Sequence, residues 1–267
     1  MTTFSDPSHL TFSDPSHLPG WLRPHSLEWY KQLSGQQGEY EYSWESTHTE
    51  PNGESIFDRE VAEMVQDKKV LDIGCGHGEF TNKCALRAKE MIGLDATDRF
   101  IQIGMENRKS NVSFIVGNTK QGLPFTADTF DCAYIRKGPT SVYPYLPQVV
   151  KKGGKILALH PGDKSQKELP QLFPNLFTAS TGTPVLDIIQ QKIENNFTSS
   201  EIETINSIEY FHTPVDIIKR RCFGQKPEVI KQVEDAALEQ IKKVFDKEAT
   251  KNGLAVTQSY YIVRATV

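Results

Sequence analysis

Residues 70–80 read VLDIGCGHGEF, with Gly74, Gly76 and Gly78 at every second position behind Asp72 and a run of branched apolar side chains. Glycine reaches backbone conformations closed to other residues and lets a ligand approach the chain closely. A loop of this kind, set at the end of a buried strand, suits the holding of a cofactor. The dinucleotide fingerprint G-x-G-x-x-G is not met, because Glu79 stands where its third glycine would be. A different ligand is indicated. Asp95, Asn118, Arg136 and His160 also stand at or just past the ends of apolar runs. Asp95 is placed to accept hydrogen bonds from a ribose diol, so a purine nucleoside fits. A general base is needed only where the attacking atom must lose a proton. His77, His160 and His212 are the candidates, and His160 has the best location. Cys75 reads as a small filler, since nothing marks it as an activated thiolate.

These residues need elements to position them. SIFDREVAEMVQ has apolar residues at helical spacing, with Ser55 as the expected N-cap. Strand KVLDIG follows, then a helix over about 79–89, strand EMIGLD, a helix over DRFIQIGMENRK and strand VSFIVG. Strand TFDCAYIR, a short helical stretch around SVYPYLPQVV and strand KILALH complete the regular part. Strands alternating with helices predict an α/β fold: a doubly wound, mostly parallel sheet with helices on both faces. In such a sheet the ligand sits outside the carboxyl ends of the strands, where the residues named above converge. After His160 the alternation loosens. SIEYFH reads as a sixth strand, TPVDIIKRRCF as a short helix, and PEVIKQVEDAALEQIKKVFDKEATKN as a long amphipathic one ended by Gly253. The closing AVTQSYYIVRATV is a strand that can pair antiparallel with the sixth at the sheet edge.

With four segments in register, VLDIGCGHGEF, IGLDATDRF, GNTKQGLPFTADTFDCAYI and VKKGGKILAL, the chain resembles the class I S-adenosylmethionine-dependent methyltransferases. The resemblance covers about 57–160 and implies a Rossmann-like, seven-stranded sheet with the last strand antiparallel. It implies S-adenosylmethionine as cofactor and S-adenosylhomocysteine as product. The Gly74–Gly78 loop, with Cys75, would pass under the methionine and ribose part, and Asp72 would orient the amino end. Asp95 would hold the ribose hydroxyls, Ala96 would lie beside the adenine, and Asn118 and Thr119 would meet its edge. The family often has Asp where Asn118 stands, and the amide carbonyl can still accept from the adenine amine. Packing of strand against helix is the plainer role for Gly76 and Gly78, and a turn-stabilising role the plainer one for Asn118.

The 267 residues carry a formal charge of −4, and the isoelectric point is near 6.0, which argues against a dedicated nucleic-acid binder. Cys75, Cys84, Cys132 and Cys222 are scattered, without a CxxC pair, so neither a zinc site nor a disulfide framework is expected. No apolar stretch approaches membrane-spanning length and the first residues lack a secretory pattern, so the expectation is a cytoplasmic protein without a membrane partner. Three stretches are distinguished: a polar extension over 1–20 containing the octapeptide TFSDPSHL twice, an aromatic-rich segment over 21–55, and a methyltransferase domain over 56–267 with an insertion around 161–205. Tyr40, Tyr42 and Trp44 alternate, so an extended chain presents them on one face. They are expected to form a lid over the cleft, with Gly138, Pro139 and Thr140 as floor and Arg136 holding a carboxylate.

The first functional reading is a methyltransferase acting on a small molecule. The second is an RNA methyltransferase, because 158–173 and 211–228 are similar to large-subunit ribosomal-RNA guanine methyltransferases; the run Lys219-Arg220-Arg221 would serve it, although a solvated helix face is the commoner fate of such charges. Residues 1–55 lack the cysteines of those enzymes' zinc module. The third is a protein that binds the cofactor without chemistry.

Overall fold

The computed structural model describes residues 14–179, 181–194 and 196–267. The first octapeptide and the start of its repeat lie outside the described residues. The core is one eight-stranded sheet. Its strands are β1 (Ser46–His48), β2 (Lys69–Ile73), β3 (Glu90–Asp95), β4 (Val112–Val116), β5 (Phe130–Arg136), β6 (Val150–Pro161), β7 (Ser199–Phe211) and β8 (Leu254–Thr266). They lie in the order β1-β7-β8-β6-β5-β2-β3-β4. Strands β2 to β6 pair parallel, and β8 pairs antiparallel with both β6 and β7. The Rossmann-like sheet with an antiparallel last strand is thus present. The eighth strand, β1, comes from the aromatic segment and pairs antiparallel with the end of β7.

Alternate side chains of the parallel strands enter cores on opposite faces. Leu71, Ile73, Ile92, Leu94, Ala133 and Ile135 pack with Val142 and Leu146 on one side. Val70, Met91, Cys132 and Tyr134 pack with Phe57 and Val61 on the other. Burial on both faces explains why β2 and β5 are near-continuous apolar runs. The flanking helices are α1 (Leu27–Gln37), α2 (Gly53–Met64), α3 (Glu79–Cys84), α4 (Asp98–Glu106), α5 (Leu146–Val149), α6 (Leu169–Leu172) and α7 (Val185–Ile193). Helices α8 (Pro214–Arg221) and α9 (Pro227–Glu248) follow β7. In α9, Val229, Val233, Ala237, Ile241 and Phe245 recur every fourth residue and are buried. They form the stripe that docks α9 against α8 and the ends of β7 and β8.

Several local expectations are corrected. The N-cap of α2 is Asn52, whose side chain accepts from Glu54 and Ser55 N–H; Ser55 answers from the third position of a capping box. Helix α9 ends at Glu248 with Ala249 as cap, so Gly253 does not end it. Gly253 has φ +111°, and a Cβ there would come within 2.2 Å of the Phe211 carbonyl oxygen. That close approach to the end of β7 is what requires glycine. Strand β7 begins at Ser199, inside the stretch read as an insertion. The described part of the polar extension is docked: Asp14 pairs with Arg221 at 2.9 Å, and Leu18 and Trp21 join the α8–α9 core.

Candidate active site

The carboxyl ends of β2, β3, β5 and β6 bring together Gly74, Asp95, Arg136 and His160, with Asn118 just past β4. The turn after β2 reverses sharply, with positive φ at Gly74, Gly76 and Gly78. The three glycines answer different constraints. A Cβ on Gly78 would lie 2.3 Å from the Phe114 ring, so this glycine serves packing between α3 and the sheet. A Cβ on Gly74 would lie 3.2 Å from both Gly138 Cα and Pro139 Cδ, and one on Gly138 would lie 2.7 Å from the Ile73 carbonyl oxygen. The loop after β5 is therefore laid directly against the β2 turn, with Thr140 beginning the helical turn beyond it. A Cβ on Gly76 would meet no core residue, and its nearest neighbour would be Tyr40 Cβ of the aromatic segment at 3.9 Å.

Asp95 points at this turn. Its two oxygens accept from Gly76 N–H at 3.0 Å and Thr97 N–H at 2.8 Å. Burial raises its pKa, against the lowering effect of those backbone donors. Ala96 is exposed beside it. Asp72 is buried, and one of its oxygens accepts from both Thr81 Oγ1 at 2.6 Å and Tyr134 Oη at 2.7 Å. Burial pushes its carboxyl up to about 6, the two hydroxyls opposing the shift. Asp72 thus ties α3 and β5 to β2. Among the described residues, its second oxygen has no protein donor. Cys75 packs on Gly93, whose Cβ would meet its Sγ at 2.9 Å. Burial, and then Asp72 and Asp95, push its thiol up, in keeping with an inert filler. Asn118 is exposed and uses its carbonyl to accept from Lys120 N–H at 3.0 Å, the turn-stabilising role. Thr119 is buried and shares a hydrogen bond with Ser141 at 2.7 Å.

Two expectations fail on geometry. His160 is 2% exposed, and its Nε2 is 2.8 Å from the Tyr143 hydroxyl. Burial pushes its pKa down to about 4, so it is a neutral core histidine and not a poised base. Arg136 is already engaged. It forks onto Asp58 at 2.8 and 3.2 Å, reaches Glu54 at 2.9 Å, and covers the Phe80 ring at 5.0 Å. Its bidentate edge faces α2 and not a ligand carboxylate. His212 is exposed, 3.3 Å from Thr47 Oγ1.

The aromatic segment crosses the glycine turn as a strap. Tyr40 N–H donates to His77 Nδ1 at 3.1 Å, which sets the proton of a neutral His77 on Nε2. The Tyr40 ring meets Trp29, Tyr30, Tyr42, Phe100 and Phe223 at centroid distances of 5.5–6.4 Å. Tyr42 and Trp44 stack at 4.4 Å, and Phe223 presents an edge to both. At one end Lys137 Nζ lies 5.0 Å above the Tyr42 ring and bonds its hydroxyl at 3.1 Å. The same ammonium reaches Glu54 at 3.0 Å, and Glu54 also accepts from Tyr260 Oη at 2.6 Å. Glu54 is held near about 2, where burial is outweighed by Lys137, Arg136 and Tyr260 together. At the other end Trp44 Nε1 donates to the buried Glu209 at 3.1 Å, and Arg220 Cζ lies 5.0 Å over its ring.

Lys137, Glu54, Arg220 and Phe223 were not singled out by sequence. Only the Lys219-Arg220-Arg221 run signalled, and it suggested a solvated face. Instead Arg221 lies 4.4 Å over Trp21 and donates to the Leu176 carbonyl.

A family model described as a methyltransferase domain matches residues 65–201. The chain is 32% identical over 111 residues to a Bacillus subtilis protein described as the uncharacterized methyltransferase YcgJ, covering 36% of this chain and 42% of that relative. The solved YcgJ structure superposes with a TM-score of 0.53 at 20% identity, covering 79% of this chain and 96% of that one. A functionally unknown protein from Deinococcus radiodurans R1 superposes with a TM-score of 0.61 at 18% identity, covering 90% of this chain and 98% of its own. The matched region holds the glycine turn, Asp95 and the loop after β5. The strap lies N-terminal to it.

Proposed function

The chain belongs to the methyltransferase-domain family, and on that premise we propose that it transfers a methyl group from S-adenosylmethionine to a small-molecule acceptor bound under the aromatic strap. The observation that carries this reading is the pairing of Gly76, at φ +57° and covered only by Tyr40 of the strap, with the Asp95 carboxylate 3.0 Å from its N–H. A side chain at Gly76 would fill the space through which a nucleoside reaches the turn. Asp95 offers the charged acceptor that a ribose diol needs. These residues fit the cofactor.

When bound, S-adenosylmethionine supplies both the methyl group and its leaving group, so the protein's contribution is alignment and a water-poor site. Asp95 and the Gly74–Gly78 backbone would hold the nucleoside and methionine parts, with Ala96 and Thr119 on the adenine side. Asn118 contributes there through the turn it caps. Gly138 and Pro139 fix the height of the floor by their contact with Gly74. Tyr40, Tyr42 and Trp44 exclude water and present aromatic faces that favour a sulfonium, worth about 0.5–2 kcal/mol. No proton is routed through His160.

A small acceptor is favoured over RNA because the run does not form a solvated basic face: Arg221 is paired with Asp14 and stacked on Trp21, and Arg220 lies against Trp44 of the strap. Calorimetry with S-adenosylhomocysteine should give an affinity on the order of micromolar. Methyl-labelled cofactor and a cell extract, fractionated afterwards, should place label in the small-molecule fraction. Label in RNA overturns the acceptor class. Binding without any transfer supports the non-catalytic alternative, and absence of binding overturns the proposal.

A further inference from the structure

We infer that Arg220 is a carboxylate receptor in the wall of this site, a reading that rests on the proposed function. Its neighbours in α8 are both satisfied: Lys219 approaches Asp216 at 3.8 Å, and Arg221 pairs with Asp14 at 2.9 Å. Of the three cations of this run, Arg220 is the one with no carboxylate partner and no hydrogen bond from its guanidinium. Its Nε is buried and unpaired. A guanidinium with a buried, unsatisfied donor is costly to leave so. Stacking on Trp44 offsets part of that cost but leaves the donors unmet. A planar anion meets them.

Arg220 reaches this site through the strap. Trp44, on which it stacks, stacks in turn on Tyr42, and Tyr42 meets Tyr40 at 5.9 Å, whose Cβ is the nearest neighbour that a Cβ on Gly76 would meet. Tyr42 is 42% exposed, so the wall opens to solvent at this point. The other guanidinium at the strand ends, that of Arg136, is neutralised by Asp58 and Glu54. Arg220 is thus the cation left with capacity for a carboxylate. That carboxylate belongs either to the methionine part of the cofactor or to an acidic acceptor with an apolar body that lies along Tyr42, Trp44 and Phe223.

Two titrations separate the sources. Wild type, Arg220→Gln and Arg220→Lys are titrated with S-adenosylhomocysteine and with methylthioadenosine, which lacks the amino-acid carboxylate. The same proteins are then titrated with phenylacetate and its neutral amide. If the cofactor supplies the anion, Arg220→Gln weakens S-adenosylhomocysteine binding about tenfold or more and leaves methylthioadenosine unchanged. If the acceptor supplies it, S-adenosylhomocysteine is unaffected, and phenylacetate binds wild type better than its amide and loses that preference in Arg220→Gln. Arg220→Lys, which keeps charge without the planar fork, should fall between. Unchanged binding of every probe in Arg220→Gln, with a native circular dichroism spectrum, overturns the inference. Failure of wild type to bind S-adenosylhomocysteine overturns the proposed function instead, and the phenylacetate arm still reads Arg220 by itself.

Discussion

Asp72, Asp95 and His160 are all polar residues at or near strand ends, and burial gives them three different fates. Asp95 stays at the lip of the turn, where it accepts from Gly76 and Thr97 and a ligand can supplement those donors. Asp95→Ala should weaken S-adenosylhomocysteine binding by about 1.5–3 kcal/mol per lost hydrogen bond to the charge, read by calorimetry. Asp72 sits deeper, and burial lifts its folded pKa to about 6, above the ordinary aspartate value of 3.8. The native state therefore holds a proton that the unfolded chain releases between those values, so stability falls as pH rises through this window. Asp72→Asn keeps an acceptor for Thr81 and Tyr134 without the buried charge. It should be more stable than wild type at pH 8, by up to about 3 kcal/mol, and lose that advantage below about pH 4. Urea unfolding at pH 8 and pH 4 checks this; equal differences at both would contradict it. His160 shows where sequence stops. Its place at the end of β6 was legible, but its burial against Tyr143 depends on residues 17 positions away and on a neighbouring layer.

Sequence periodicity sufficed for the parallel strands and the long helices, because each carries its own burial pattern. It did not suffice for β1, whose Ser-Thr-His has no apolar alternation and is strand only because the edge of β7 is there to pair with. The same reason hides the Lys137–Glu54 pair at one end of the strap. Glu54 reads as an ordinary first-turn acid of α2, and only the fold sets it against Lys137, Arg136 and Tyr260. Its folded pKa of about 2 lies below the ordinary glutamate value of 4.5. The stability it contributes is full above about pH 4.5 and is lost as pH falls toward 2. Glu54→Gln should therefore destabilise the protein by up to about 3 kcal/mol at pH 7. The deficit relative to wild type should shrink as pH is lowered through 4.5. A deficit that stays constant down to pH 3 would show that Glu54 acts through packing alone.

At the scale of the whole molecule, α1 packs against the turn between α8 and α9. Trp29 of α1 is buried, donates to the Phe223 carbonyl at 2.9 Å, and lies where a Cβ on Gly224 would come within 2.4 Å of its ring. The Gln225 side chain exchanges hydrogen bonds with the Leu22 backbone at 2.7 and 2.9 Å. The strap between α1 and α2 is thereby anchored at both ends, at Trp29 by α8 and at Tyr42 by Lys137 and Glu54. All three tryptophans, Trp21, Trp29 and Trp44, belong to this cap, so its motion is readable in intrinsic fluorescence. Because Tyr40 lies on the glycine turn, a ligand must displace the strap to reach Gly76. If that opening limits entry, the observed rate of the fluorescence change saturates with rising S-adenosylhomocysteine. Glu54→Gln frees one anchor, the Lys137 end, without touching the turn, and should raise the plateau rate while leaving Asp95 and the nucleoside contacts intact. A rate that rises linearly at every concentration in both proteins would mean that the strap does not gate the site.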